Sequence, residues 1–574
     1  MTDSIELRKR LFSRSMGVLA FVSAVAGTAV RGADWPSAGA DLYNSHFQPA
    51  ETRLSTKTVP NLHVQWTFST AGDVTAIPAV VGGFVYFPDT AGYIYKVNAS
   101  TGAQVWRSAN VSSITCVAGD FARTTPAITS DGLTLIIGTQ TGKLWGTPNT
   151  CLNTSTQPYV VALNTSDGSL KWKTVADSTA QAMVTTSAVL TPATSAHSQG
   201  LAIFGVASNE ELTAAFVPPG YWQWTFRGSA LALDVATGAV AWQTFTVPSG
   251  YYGGSVWGST PAVDLVNNQV FVSSGDNYMV PSSVLNCLAT VVGSPATCLD
   301  PADYFDSIIA LDISTGTIKW GGHGMPADVW NVACGLGVPG FMIGIGYPGV
   351  YGNCPDPTGA QNPKIEGPDY DFGQGPMLFS DTGSYTDRGL VGAGSKSGIF
   401  WAFDAKHGKT VWSTQVSPGG VTGGMQWGSA TDGSTIYVSA SNAGTALSGA
   451  GQSPKPWTLA NGQVVYRGGW AAVDASSGKV KWTTADPNGT SAVEGYRAEG
   501  PVTLANDVAF GCDMTGTMFA LSAKSGSVLW QYTDPAASPN NPCIAGAAVA
   551  NGMVFWGSGN GRGTGPNKLY AFGL

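Results

Sequence analysis

The chain has 574 residues, a net charge of −8 and only 11% charged residues, with 74 Gly and 19 Trp. A typical soluble domain is about 25% charged, so the composition suits an exported all-β protein. No Lys/Arg-rich run follows residue 10, which argues against a nucleic-acid partner. The N-terminus reads as a secretion leader: a basic "ELRKRLFSRSM", an apolar "GVLAFVSAVAGTAV", then "RGADWP" opening the mature chain. The expected division is a leader over residues 1–33 and one domain over residues 34–574, with an uncleaved anchor as the alternative. The apolar run is short for a membrane span.

Past the leader, a strand-like "HVQWTFS" carries Trp66, and then a phrase recurs seven times. It is an apolar run, then Asp, Asn or Ser, three residues, Gly, three residues and Trp. It begins at Asn98, Asn164, Asp234, Asp312, Asp404, Asp474 and Ser522 and ends at Trp106, Trp172, Trp242, Trp320, Trp412, Trp482 and Trp530. Each unit predicts a strand, a tight turn in which Asx closes on its own backbone and Gly supplies positive φ, and a returning strand. The last apolar strand, "KLYAFGL", lacks the Trp half, which the N-terminal Trp66 strand can supply. A ring closed in that way predicts a single eight-bladed β-propeller, with the Trp residues as scaffold.

Eight Cys in an exported chain predict disulfides, in the local pairs Cys116 with Cys151, Cys287 with Cys298, Cys334 with Cys354 and Cys512 with Cys543. There is no C-x-x-C-H haem motif, and the five His show no zinc spacing. Asn98, Asn110, Asn153, Asn164 and Asn488 begin N-x-S/T triplets that a eukaryotic secretory route could glycosylate.

The loops preceding the Asp-turn strands should share one face of the ring. Those at 141–157, 208–227, 276–306 and 442–468 are long, and uneven insertions on one face mark a site. They hold Glu210, Glu211, Asp276, Asn277, Asp300, Asp303 and Asp306, with Trp257 and Lys396 on neighbouring segments. Carboxylates with an amide oxygen suit a hard cation such as Ca²⁺. A Lys can polarise a carbonyl, and a Trp can floor a flat ligand. Asp369 and Asp371 in "GPDYDFG" read as caps of a strand entry. "GSGNGRGTG" at 557–565, flanked by strands, reads as a blade loop and not as a phosphate loop.

The repeat, with "TFRGSALALDVATG", "DVWNVAC", "GPDYDFGQGPML", "GAGSKSGIFWAFD", "GGMQWGS" and "VFWGSGNGRGTGPNKLYAF", resembles the quinoprotein alcohol dehydrogenases that use pyrroloquinoline quinone (PQQ). Within them the chain is most similar to the polyvinyl alcohol dehydrogenase family. The resemblance implies a Ca²⁺ ligand at Glu210 or Glu211, another at Asp276 with Asn277 beside it, and a catalytic base at Asp303 or Asp306. It also implies cofactor contacts from Lys396, from Trp257 as the stacking ring, and from Arg123 on a cofactor carboxylate, with Trp427 and Asn442 as further contacts. The implied reaction is hydride transfer from a primary or secondary alcohol, possibly polymeric, to PQQ. Electrons then leave to a separate acceptor such as a cytochrome c, in the periplasm or outside the cell. One departure is Gln223-Trp224, where such chains often carry Cys-Cys before "TFRG". Two rival readings remain. One is a non-enzymatic propeller of the same repeat, acting as a binding or assembly scaffold. The other is a propeller enzyme using another cofactor.

Overall fold

The computed structural model describes residues 34–141, 157–179, 181–215, 222–258, 260–335, 353–355, 367–380, 382, 388–442, 454–488, 498–536, 543–559 and 565–574. The expected leader, most of the 141–157 loop and residues 443–453 of the 442–468 loop lie outside them.

The alternating, β-branched runs pair as antiparallel four-strand blades. In chain order, blade one runs from Ala79–Val81 to Gln104–Arg107, blade two from Ala127–Ile128 to Leu170–Val175 and blade three from Val189–Leu190 to Val240–Phe245. Blade four runs from Ala262–Asp264 to Ile318–His323, blade five from Met377–Phe379 to Thr410–Gln415 and blade six from Ala430–Thr431 to Val480–Ala485. Blade seven runs from Thr503–Ala505 to Val528–Thr533. Blade eight takes Ala547–Ala550, Met553–Ser558 and Lys568–Gly573 from the end of the chain and His63–Ser69 from its beginning. The eight-bladed propeller expected from the repeat is therefore present, closed as the missing Trp half required.

Each Trp docks on the next blade. The indole Nε1 of Trp66, Trp106, Trp172, Trp242, Trp320, Trp412 and Trp482 donates to Ala99, Thr165, Val235, Ile313, Ala405, Ala475 and Ala523 O. Trp530 donates to Leu62 O at 2.9 Å and so seals the ring. The repeat Gly has two duties at each joint. At Gly478, φ is +71°, and a Cβ would lie 2.6 Å from the Trp412 ring. The apolar clusters are shared between neighbouring blades; Ile136, Val160, Phe204 and Leu231, from blades two and three, form one of them.

The Cys287–Cys298, Cys334–Cys354 and Cys512–Cys543 bridges form as expected. Cys116 is disulfide-bonded too, while Cys151 lies outside the described residues. Among the described residues, no helix is long and apolar enough to cross a membrane.

Between blades six and seven, Asp486 and Asp513 are both fully buried. Asn488 donates to Asp513 Oδ2 at 2.8 Å, so this sequon side chain is engaged in the fold. Burial, and then the Asp513 charge, hold the Asp486 carboxyl well above the ordinary carboxylate range. The unfolded chain ionises this group first, so its contribution to stability falls as pH rises above about 4 and stops changing beyond the folded value. Asp486→Asn, which keeps a donor towards Asp513, is expected to flatten the alkaline side of a Tm-against-pH profile. An unchanged slope would refute this account.

Candidate active site

The blades deliver their side chains to the site from two kinds of position. Segments leaving a second strand supply Glu211 from blade three, Asp276 from blade four and Lys396 from blade five. Segments entering a first strand supply Arg123, Trp257, Asp371 and Trp427. These seven residues, with Tyr278, Ser208, Ser255 and Met183, line a cavity that encloses about 610 Å³ of empty space, its open mouth included.

Lys396 stands at its centre, only 9% exposed. Its Nζ lies 2.6 Å from Asp369 Oδ1, 2.8 Å from Asp371 Oδ2 and 5.1 Å from the Trp257 ring centroid. Asp371 is also held by Trp257 Nε1 at 3.1 Å and by the Asp276 backbone N–H at 2.7 Å. Trp257 and Trp427 meet edge to face, 5.6 Å apart, and the Arg123 guanidinium lies 5.2 Å over Trp427. Asp369 and Trp427 both hold left-handed backbone, at φ +59° and +65°, a conformation that costs a non-Gly residue energy and collects at functional sites.

Electrostatically the cluster lacks positive charge. Oxygens of Asp276, Asp369 and Asp371 lie within 4.8 Å of one another. With Glu211, four carboxyls face one ammonium. Burial pushes Asp276 and Asp369 well above the carboxylate range, and it pushes Glu211 up to about 8. Burial also raises Asp371, but the Lys396 charge outweighs it and holds that group low. Burial disfavours the Lys396 charge, yet the two Asp partners outweigh it and keep the ammonium protonated far up the scale. Asp276 Oδ2 is buried without a donor. An orphaned carboxylate oxygen inside an all-oxygen donor set fits a hard cation.

The other expected residues are employed elsewhere. Glu210 accepts from the Thr225 and Phe226 backbone N–H groups at 2.8 Å and does not line the cavity. Asn442 binds backbone at Lys455 and Arg467. Asn277 donates to Asp303 Oδ2 at 2.9 Å, and burial lifts Asp303 up to about 7. Asp306 is fully buried, and neither of its carboxylate oxygens has a donor. It faces Asp328, whose charge adds to burial in raising it. None of these five side chains lines the cavity.

Asp369 and Asp371, read from sequence as strand caps, are instead the two partners of Lys396. The physical reason is local. Asp328 accepts from the Asp369 and Tyr370 backbone N–H groups, which turns this segment so that both carboxylates face the lysine. The Asp-x-Asp spacing was the available signal. Space for Asp371 exists because residue 275 is Gly: a Cβ there would lie 2.6 Å from Asp371 Oδ1. Gly275→Ala is expected to lower cation affinity and activity by about 10-fold or more, as loss of a supporting contact does at such sites. Wild-type behaviour would show that the cluster has slack.

A PQQ-repeat family model, described as outer membrane protein assembly factor BamB, matches residues 63–322 and 395–570. The chain belongs to this family. A polyvinylalcohol dehydrogenase of Pseudomonas sp. is 26% identical over 563 residues, covering 92% of this chain and 73% of the relative. Among solved structures, a quinohemoprotein alcohol dehydrogenase from Comamonas testosteroni matches at TM-score 0.60 and 16% identity, over 95% of this chain and 81% of that one. A europium-containing methanol dehydrogenase matches at TM-score 0.58 and 15% identity, over 95% and 99%. The structural matches share the propeller fold. The resemblance to quinoprotein alcohol dehydrogenases read from the sequence is thus supported. The family match omits residues 323–394, which carry Asp328, Asp369 and Asp371.

Proposed function

We propose that the protein is an exported PQQ- and metal-dependent dehydrogenase that oxidises alcohols to aldehydes or ketones. The single observation that carries this reading is the buried set of Asp276, Asp369 and Asp371 around Lys396, at a cavity that all but Asp369 line together with Trp257. A binding scaffold gains nothing from concentrating unneutralised carboxylates at the axis, since buried unpaired charge is costly.

Glu211, Asp276 and Asp371 would hold the cation, for which Ca²⁺ is the expectation. The name of one structural neighbour raises a trivalent ion as the second candidate, and four carboxyls could accommodate that charge. Trp257 and Trp427 would wall a flat ring, Arg123 would take a cofactor carboxylate, and Lys396 would sit at the ring oxygens. Bound PQQ would supply the acceptor for the carbinol hydride. Asp369 is assigned as the base for the alcohol proton. Among the described residues, the Asp369 carboxylate is held by Lys396, whereas Asp371 is fixed by Lys396, Trp257 and the Asp276 N–H. The alternatives for this role are Asp303, bound by Asn277, and Asp306, which faces Asp328.

Disulfides suit an oxidising compartment outside the cytoplasm, as does the leader-like N-terminus. With no haem-attachment motif in the sequence, electrons would leave to a separate acceptor such as a cytochrome c. The test is dye-linked reduction by apo-protein supplied with PQQ and either Ca²⁺ or a lanthanide, against primary, secondary and polymeric secondary alcohols. Activity requiring both cofactor and metal is expected. A folded protein that binds no quinone by calorimetry would sink the proposal and leave the scaffold reading.

A further inference from the structure

Two insertions that the propeller does not itself require meet beside the cavity. The helix Glu210–Ala214 leaves blade three and carries Glu211 to the cavity wall. The helix Val332–Gly335 follows blade four and carries Cys334. Leu212 of the first and Ala215 just after it share an apolar cluster with Val332 and Cys334 of the second and with Trp330 and Cys354 beside it.

Asn353, next to Cys354, ties the two together. Its Nδ2 donates to Ala214 O at 2.9 Å, at the end of the Glu211 helix. Its own carbonyl accepts from Asn331 Nδ2 at 3.0 Å, and the same Asn331 amide reaches Tyr278 O at 3.1 Å. Tyr278 stands in the cavity beside Glu211 and Asp276. A five-residue helix makes too few internal hydrogen bonds to hold its own shape, and its last carbonyls need outside partners. The place of Glu211 is therefore set from outside its own element.

We infer that Asn353, held in place by the Cys334–Cys354 disulfide, is a positioning residue that fixes Glu211 as a cation ligand. The inference rests on the cation site proposed above. It assigns this disulfide a duty at the site that the Cys287–Cys298 bridge does not have.

The test is Tb³⁺ titration of the purified full-length protein without PQQ, read by emission sensitised by Trp257 and Trp427. Asn353→Ala is expected to raise the Tb³⁺ Kd by about 10-fold or more, the usual cost of losing a partner that orients a ligand, with the Tm unmoved. A Cys334→Ser/Cys354→Ser double variant is expected to match it, and a Cys287→Ser/Cys298→Ser double variant to bind as wild type. Equal Kd values for wild type and Asn353→Ala would overturn the inference while leaving the cation site intact. Absence of sensitised emission in the wild type would overturn the cation site and the inference with it. If the Cys334→Ser/Cys354→Ser variant does not fold, Asn353→Ala alone decides.

Discussion

Asp369→Asn is expected to lower kcat by about 10²- to 10⁴-fold, the usual worth of a positioned general base, while cation affinity stays within a few-fold of wild type. Asp371→Asn is expected to behave differently. It removes a carboxylate from the cation's donor set and breaks the contacts to Trp257 Nε1 and the Asp276 N–H, so cation affinity should fall by about 100-fold or more, beyond the outer-shell range. Excess metal should then restore part of the activity to Asp371→Asn and none to Asp369→Asn. The contrast follows from Lys396, which contacts both carboxylates while only one of them is otherwise tied down. Equal losses of kcat with unchanged metal affinity in both variants would refute the division of roles. So would full activity in Asp369→Asn, which would return Asp303 to consideration as the base.

The second large effect is on the ring. Trp482 is 8% exposed and donates from Nε1 to Ala523 O at 2.9 Å. Gly526, at φ +71°, lies flat against its ring. Trp482→Ala removes a buried aromatic and leaves a void between blades six and seven. It should cost about 3–5 kcal/mol in chemical denaturation, as large-to-small core changes do. The surviving folded fraction should keep the wild-type KM, because Trp482 is far in sequence and contact from the cavity residues. A loss below about 1 kcal/mol would mean that the joint relaxes around the missing ring, on the scale of ordinary surface substitutions.

Sequence periodicity carried the fold because the repeat is a local rule: a strand, a turn demanding Gly, and a returning Trp. It even predicted the pairing of His63–Ser69 with Lys568–Gly573, since the last unit lacked its Trp. The site was legible only in part. Trp257, Lys396, Arg123, Glu211, Asp276 and Trp427 reach one cavity, as a shared face of loops implied. The choice between Glu210 and Glu211 could not be made, because neighbouring residues on a short helix point apart and only the Thr225 and Phe226 N–H groups show which one caps backbone. The meaning of Asp369 and Asp371 depends on Lys396, 25 residues beyond Asp371, and on a turn set by Asp328, 41 residues before Asp369 in the same connection between blades. The family resemblance points to Asp303 or Asp306 as the base, and these two face Asn277 and Asp328. Sequence spacing does not reveal which side of a loop faces inward.

The seam between His63–Ser69 and Lys568–Gly573 also fixes an order of events in time. The inner three strands of blade eight are synthesised after blades one to seven, and their outer partner before them. During synthesis the ring must therefore persist as an open arc with two unpaired edges. Such edges invite pairing with other chains until the final strand arrives. Closing a loop of roughly 500 residues adds only a slowly growing entropy term, so the delay comes from the length of the chain and not from the strength of the seam. A nascent chain stalled short of Lys568 would be protease-sensitive along its whole length, and completion of six residues would convert it at once.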